Sequence, residues 1–273
     1  MHRILLLFFL HTAINIAAAQ APKPTLKVLA TVNIESRFAE IDRMQQLYVV
    51  TDDHTVQKYD NKGVLIKTFN ENRLGSLTAV DVSNPFQPLL YFEEYQTVVV
   101  LDRSLSELYR FNLNDLGYVQ VDAVGISSDN QIWLYDANNF MLKKIDSRGN
   151  IQKEGPDLSA TLRDDFLPRK LIEQEYSIFV NDPDYGILVF DLFGNYQRTL
   201  QILGLNYFQV MQQQLVWMDS EATLHRFHLY SLQEVETDLS ALGLATKDLK
   251  QACWAVERLC LRYSDRIVWY EFL

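Results

Sequence analysis

The sequence predicts an all-β chain folded as a six-bladed β-propeller, with an N-terminal strand completing the last blade. Three observations predict it. A unit made of a β-rich run, an aspartate, a short polar turn and a second β-rich run recurs along the chain. Many of these runs are apolar at successive positions, as strands covered on both faces require. The last unit is one strand short, while an unclaimed strand stands before the first unit.

The elements follow in order. Met1-His2-Arg3 is positively charged, Ile4 to Leu10 is an unbroken apolar run, and Ala17-Ala18-Ala19-Gln20-Ala21 supplies small residues in an A-x-A pattern. Charged, apolar, small is the order of a secretory signal peptide, here over residues 1–19 with cleavage after Ala19. Its apolar core is short of the roughly 20 residues that span a bilayer. Residues 20–25, with Pro22 and Pro24, read as a short linker, and 26–273 as a single propeller domain. Leu26–Asn33 is the unclaimed strand.

The first unit runs Leu47 to Asp52, Val56 to Asp60, the turn Asn61-Lys62-Gly63, then Val64 to Phe69. The second is Thr97 to Asp102, then Leu108 to Phe111. The third is Ile132 to Asp136, Leu142 to Asp146 and Ser147-Arg148-Gly149. The fourth is Ile178 to Asp182, Ile187 to Asp191 and Leu192-Phe193-Gly194. The fifth is Leu215 to Asp219, then Leu224 to Phe227. The sixth is degenerate, with Leu259 to Arg262 and Ile267 to Tyr270. Each unit has the size of a four-stranded blade, roughly 35 to 50 residues. Glycine in the hairpin turns supplies a positive φ. If Leu26–Asn33 pairs with the last blade, it provides the missing fourth strand and leaves no open seam.

Three long connections interrupt the units: Glu71 to Pro88, Gly155 to Leu171, and Asp238 to Gln251, the last with a helical turn near Leu239 and Leu242. They are expected on one rim. The first holds Asn84-Pro85-Phe86-Gln87-Pro88 and the second Phe166-Leu167-Pro168-Arg169. Asn84, Phe86, Phe166 and Arg169 are therefore the candidate interaction residues, because binding groups concentrate on loops held by a rigid scaffold. Anchoring of the loop is the equal alternative for the two phenylalanines. Aromatic residues at strand positions, such as Trp133, Trp217 and Trp269, are expected in the core between blades.

The third unit, Val124 to Gly149, resembles an NHL repeat: a Ser-Asp-Asn turn, Ile-Trp-Leu-Tyr-Asp, then Leu-Lys-Lys-Ile-Asp and Gly. Asp81-Val-Ser-Asn-Pro-Phe, Leu-Leu-Tyr-Phe and Thr-Val-Val-Val-Leu-Asp102 together resemble exported propeller proteins of Bacteroidota. These resemblances imply the fold and an envelope location, of the TolB-like kind, and leave the activity open. The Gly-His and Trp-Asp signature of WD40 blades is absent.

Composition excludes some classes. The net charge of −10 and pI near 5.0 argue against nucleic acid as a partner. After residue 19 no run is long enough for a transmembrane segment. The recurring aspartates, Asp52, Asp102, Asp136, Asp182 and Asp219, read as caps of tight turns before they read as an acidic cation ring. His54, His225 and His228 read as isolated structural histidines; the last two sit three apart on a strand and face opposite sides. Asp182-Pro183-Asp184-Tyr185-Gly186 lacks the bidentate glutamate of a calcium loop, with Phe193 at that position. Serine-hydrolase and nucleotide-binding motifs are missing. Cys253 and Cys260 are either a hairpin disulfide or two buried thiols.

The expectation is an exported propeller, periplasmic or extracellular, without catalytic, metal or cofactor site. It would serve as a protein–protein scaffold for another envelope protein, by analogy with the propeller subunit of outer-membrane barrel assembly. The alternatives are a metal-dependent lactonase-like hydrolase with a pore-centred site and a glycan-binding propeller.

Overall fold

The computed structural model describes residues 26–163, 165–255 and 258–273. The signal peptide and linker expected over 1–25 lie outside the described residues.

Strand β1 (Leu26–Asn33) precedes the first blade. That blade is β2 (Phe38–Ile41), β3 (Leu47–Val50), β4 (Val56–Tyr59) and β5 (Leu65–Phe69). The second is β6 (Ala79–Asp81), β7 (Leu89–Phe92), β8 (Thr97–Leu101) and β9 (Glu107–Asn112). The third is β10 (Val121–Ile126), β11 (Ile132–Asp136), β12 (Met141–Ile145) and β13 (Ile151–Glu154). The fourth is β14 (Lys170–Gln174), β15 (Ser177–Asp182), β16 (Gly186–Phe190) and β17 (Tyr196–Leu200). The fifth is β18 (Gln209–Met211), β19 (Gln214–Met218), β20 (Thr223–His228) and β21 (Glu234–Asp238). The sixth is β22 (Leu249–Ala255), β23 (Arg258–Tyr263) and β24 (Arg266–Phe272).

Six four-stranded antiparallel sheets form a ring, each with its first strand innermost. In the last sheet the order is β1-β24-β23-β22. Leu26 pairs with Phe272 and Asn33 with Arg266, so the N-terminal strand is the outer strand of blade six. The ring is thereby closed by main-chain hydrogen bonds between the two ends of the chain.

Alternation explains the doubly apolar strands. In blade two, Leu89, Tyr91, Val98 and Val100 pack against Val124, Ile126, Ile132 and Leu134 of blade three. The intervening Leu90, Phe92, Val99 and Leu101 pack against Tyr48, Val50 and Val56 of blade one. Successive side chains point to opposite faces, and both faces meet a neighbouring blade. Gly125 marks a close approach of inner strands: a Cβ there would lie 2.5 Å from the Leu171 carbonyl oxygen.

The structure rephases the second unit. Thr97–Leu101 is the third strand of its blade, and Leu89–Phe92 is the second, joined by a 3₁₀ turn over Glu93–Tyr95. That turn carries no aspartate. Asp102 therefore belongs with Asp60, Asp146 and Asp191 in the turns between third and fourth strands. In each, Oδ1 accepts the N–H groups two and four residues on, at 2.7 to 2.9 Å. Asp219 does the same between second and third strands. Asp136 instead takes Lys143 at 2.9 Å, and Asp182 accepts from the Leu167 N–H at 2.8 Å. These aspartates cap turns and anchor connections.

The long connections also divide differently. Glu71 to Pro88 contains β6, so only its first part crosses between blades. Consecutive antiparallel strands reverse direction. The one-to-two and three-to-four turns thus open on one face, the turn face. The two-to-three turns and the crossings between blades open on the other, the connection face. Asn84 and Phe86, between β6 and β7, lie on the turn face; Phe166 and Arg169, between β13 and β14, lie on the connection face. The single rim expected for these loops is two opposite rims.

Candidate functional site

The inner strands surround a channel, and charged side chains close it. Glu40 projects from β2 and Lys170 from the start of β14, on blades one and four, which face each other across the ring. Their carboxylate and ammonium form an ion pair and a hydrogen bond. The Lys170 ammonium also lies 4.6 Å from the Tyr207 ring centre and 5.5 Å from that of Phe208. Asp81 on β6 stands nearby, with one oxygen accepting the Ser83 N–H and the other the Ile126 N–H, each at 2.8 Å. Burial pushes the Glu40 carboxyl up to about 7; Lys170 offsets part of that rise and the charge of Asp81 adds to it. Burial raises Asp81 as well. A single ammonium thus serves two buried carboxyls.

The pair divides the channel. On the turn face a cavity of about 120 Å³ is lined by Arg43, Gln45, Ser83 and Gln174 as well as by the charged groups. On the connection face a cavity of about 220 Å³ is lined by Arg37, Thr78, Arg169 and Tyr207. Glu40, Asp81 and Lys170 border both.

Beside the channel on the turn face lies a polar recess of about 440 Å³, lined by Arg43, Asn84, Phe86, Gln87, Ser128 and Asn130 among others. The Asn84 carboxamide donates to Asn130 Oδ1 at 2.7 Å, tying the turns of blades two and three together. Asn84 Oδ1 accepts the Phe86 N–H at 3.1 Å. This asparagine turn presents the Phe86 ring outward, 50% exposed. Glu173, only 4% exposed at the side chain, borders the recess. It accepts from Ser127 Oγ at 2.6 Å, from the Ser128 N–H at 2.9 Å and hydroxyl at 2.5 Å, and from Trp133 Nε1 at 2.6 Å. Burial opposes its charge, but these donors outweigh burial and hold the carboxyl below its usual range. Glu173 buckles blade four to blade three.

On the connection face Phe166 is 5% exposed. It meets Tyr135 and Tyr185 edge-on, at centroid distances of 5.3 and 5.4 Å. Its loop is anchored by this ring. Arg169 is exposed, with its N–H on the Asn181 carbonyl at 2.7 Å. Its charge pulls down the carboxyls of Glu93 and Asp122, which burial raises. Asn84 and Phe86 are therefore brought together, while Phe166 and Arg169 are placed on the far rim. Sequence reasoning missed Glu40, Asp81, Lys170 and Glu173. The available signal was a charged residue inside a short inner strand, which a surface strand carries equally often.

Cys253 and Cys260 are directly opposed on β22 and β23, both buried and both free thiols. His54 Nδ1 lies 2.7 Å from an Arg37 guanidinium nitrogen, and His228 Nδ1 accepts the Ser231 N–H at 3.1 Å. Among the described residues no helix is long and apolar enough to cross a membrane.

No protein-family profile matches the chain, and no curated protein matches it in sequence. Solved structures do match. A catalytically inactive virginiamycin B lyase from Staphylococcus aureus, with quinupristin, is similar with a TM-score of 0.62 at 9% identity, over 91% of this chain and 100% of that one. The WD40 domain of Neurospora crassa Pan2 is similar with a TM-score of 0.61 at 12% identity, over 92% and 97%. The β-propeller domain of Cps50 (Swd1) from Myceliophteria thermophila gives 0.59 at 11%, over 90% and 99%. What this chain shares with such different proteins is the β-propeller fold.

Proposed function

We propose that the chain is an exported, non-enzymatic β-propeller that docks another protein of the cell envelope on its turn face. The observation that carries this is Phe86: a large aromatic ring, half exposed, held outward by Asn84 beside a polar recess. An aromatic anchor next to amide and hydroxyl groups is the composition of an interface centre. The Glu173 buckle ties the neighbouring turn of blade three to blade four. The N-terminal order of charged, apolar and small residues supports export.

The hydrolase alternative needs a metal at the channel centre. Of the carboxyls there, Glu40 already holds the ammonium of Lys170, which takes the place of a cation, and Asp81 accepts the Ser83 and Ile126 N–H groups. The glycan alternative places a sugar ring on Phe86, with hydrogen bonds from Asn84, Gln87 and Asn130.

The test is crosslinking of the tagged full chain in intact cells, followed by mass spectrometry. The expected result is a stoichiometric envelope protein that is lost with Phe86→Ala and kept with Arg169→Ala. Capture that survives Phe86→Ala and disappears with Arg169→Ala would move the interface to the connection face. The absence of any partner with several crosslinker chemistries, alongside retention on a glycan array, would replace docking by sugar binding.

A further inference from the structure

The fifth blade carries a cluster that docking on Phe86 does not use. Across its three outer strands, Trp217 of β19 opposes His225 of β20, and His225 opposes Glu236 of β21. These side chains form one row on one face of the sheet. Glu234 is two residues from Glu236 and shares that face. His225 Nδ1 lies 2.8 Å from Glu234 Oε1. One donor atom each from His225, Glu234 and Glu236 fall within 4.8 Å of one another.

The imidazole is fixed from its other sides. Its Nε2 lies 3.0 Å from Asp219 Oδ2. The other oxygen of Asp219 accepts the Glu221 and Thr223 N–H groups at 2.9 and 2.8 Å, so this carboxylate is itself immobile. The Trp217 indole stacks on the ring, with centroids 4.8 Å apart and planes 2° from parallel. Asp219 holds the Nε2 proton, and an ion at Nδ1 would replace the proton that this nitrogen shares with Glu234 Oε1. A carboxylate on the remote nitrogen is how metal-binding histidines are oriented and made more basic. A structural histidine needs one such partner; this one has carboxylates at both nitrogens and a third in reach.

We propose that His225, Glu234 and Glu236 bind a divalent transition-metal ion of the Zn²⁺ class, through Nδ1 and two carboxylate oxygens, with water in the remaining position. Two carboxylates balance the charge of the ion. The imidazole selects a borderline cation over Ca²⁺ and Mg²⁺, which take oxygen ligands. The ion would join β20 to β21 on the outer, solvent-facing part of the blade, where Glu234 and Glu236 are exposed. Three protein ligands leave a position open for a further donor.

The experiment uses the full chain without a polyhistidine tag, stripped with chelator and titrated with ZnCl₂ by calorimetry and thermal melting. The expected result is one Zn²⁺ per chain and a higher Tm, both lost in His225→Ala and in the double variant E234Q/E236Q, and neither produced by MgCl₂. Asp219→Asn, which spares the ligands, weakens binding about 10- to 100-fold. The double variant changes only exposed side chains, so it decides the matter even if His225→Ala fails to fold. Zn²⁺ binding that persists in the double variant, or no binding by the wild-type chain, would overturn the site.

Discussion

Phe86 and Phe166 are equivalent in sequence terms: each is a phenylalanine within two residues of proline in a long connection. In the structure they are opposites. Phe86 sits in the connection between the first and second strands of blade two, where an asparagine closes the backbone and the ring stays half exposed. Phe166 sits in a crossing between blades and fills the space between Tyr135 and Tyr185. A connection that spans two blades must cover the core edge between them. In the connection within blade two, Val82, Pro85 and Pro88 take the buried positions and Phe86 is left outside. Exposure follows from which strands a loop joins, and composition does not report that.

The contrast can be broken by measurement. Phe166→Ala removes a buried ring and should cost about 3–5 kcal/mol, read by denaturant unfolding. A loss below about 1 kcal/mol would mean that the loop is no anchor.

Glu40 lies between the two faces and tests the closed channel through pH. Its carboxyl is raised from 4.5 to about 7, so the folded state favours the proton. The stabilisation is then complete below about 4.5 and is lost as pH rises through about 7, up to roughly 3 kcal/mol. Glu40→Gln should flatten that dependence and gain relative to wild type between pH 5 and pH 8. A wild-type Tm independent of pH across this window would show that Glu40 is not the buried acid described.

A smaller effect is expected at the inner strands. Gly125→Ala drives a methyl group against the Leu171 carbonyl and should destabilise by about 1–3 kcal/mol. Smallest of all is Phe86→Ala, which should change stability by less than about 0.5 kcal/mol while abolishing partner capture. A clear loss of stability there would make Phe86 a fold residue and remove the comparison.

Much of the fold was legible because a propeller repeats its own local rules. The apolar runs, the Asp-led turns and the unclaimed strand Leu26–Asn33 are local signals, and the last of these pairs with β24 as its position implies. The second unit was misread because Glu93-Glu94-Tyr95-Gln96 replaces the usual aspartate turn, so the run after it looked like the start of a repeat. Half of the candidate interaction set, Asn84 and Phe86, came together on the turn face; the other half did not.

The sequence by itself determined the class of the fold, the number of blades and the means of closing the ring, since each depends on side-chain periodicity and turn chemistry within a few residues. Tertiary structure alone decided which residues meet across the ring or the sheet. Glu40 and Lys170 are far apart in the chain, and nothing local couples them. His225 is poorly matched to His228, its neighbour in sequence, and well matched to Glu234 and Glu236, its neighbours in register. Hydrogen-bonded register and ring closure set those distances, and a one-residue slip of β21 against β20 would turn Glu234 and Glu236 to the opposite face.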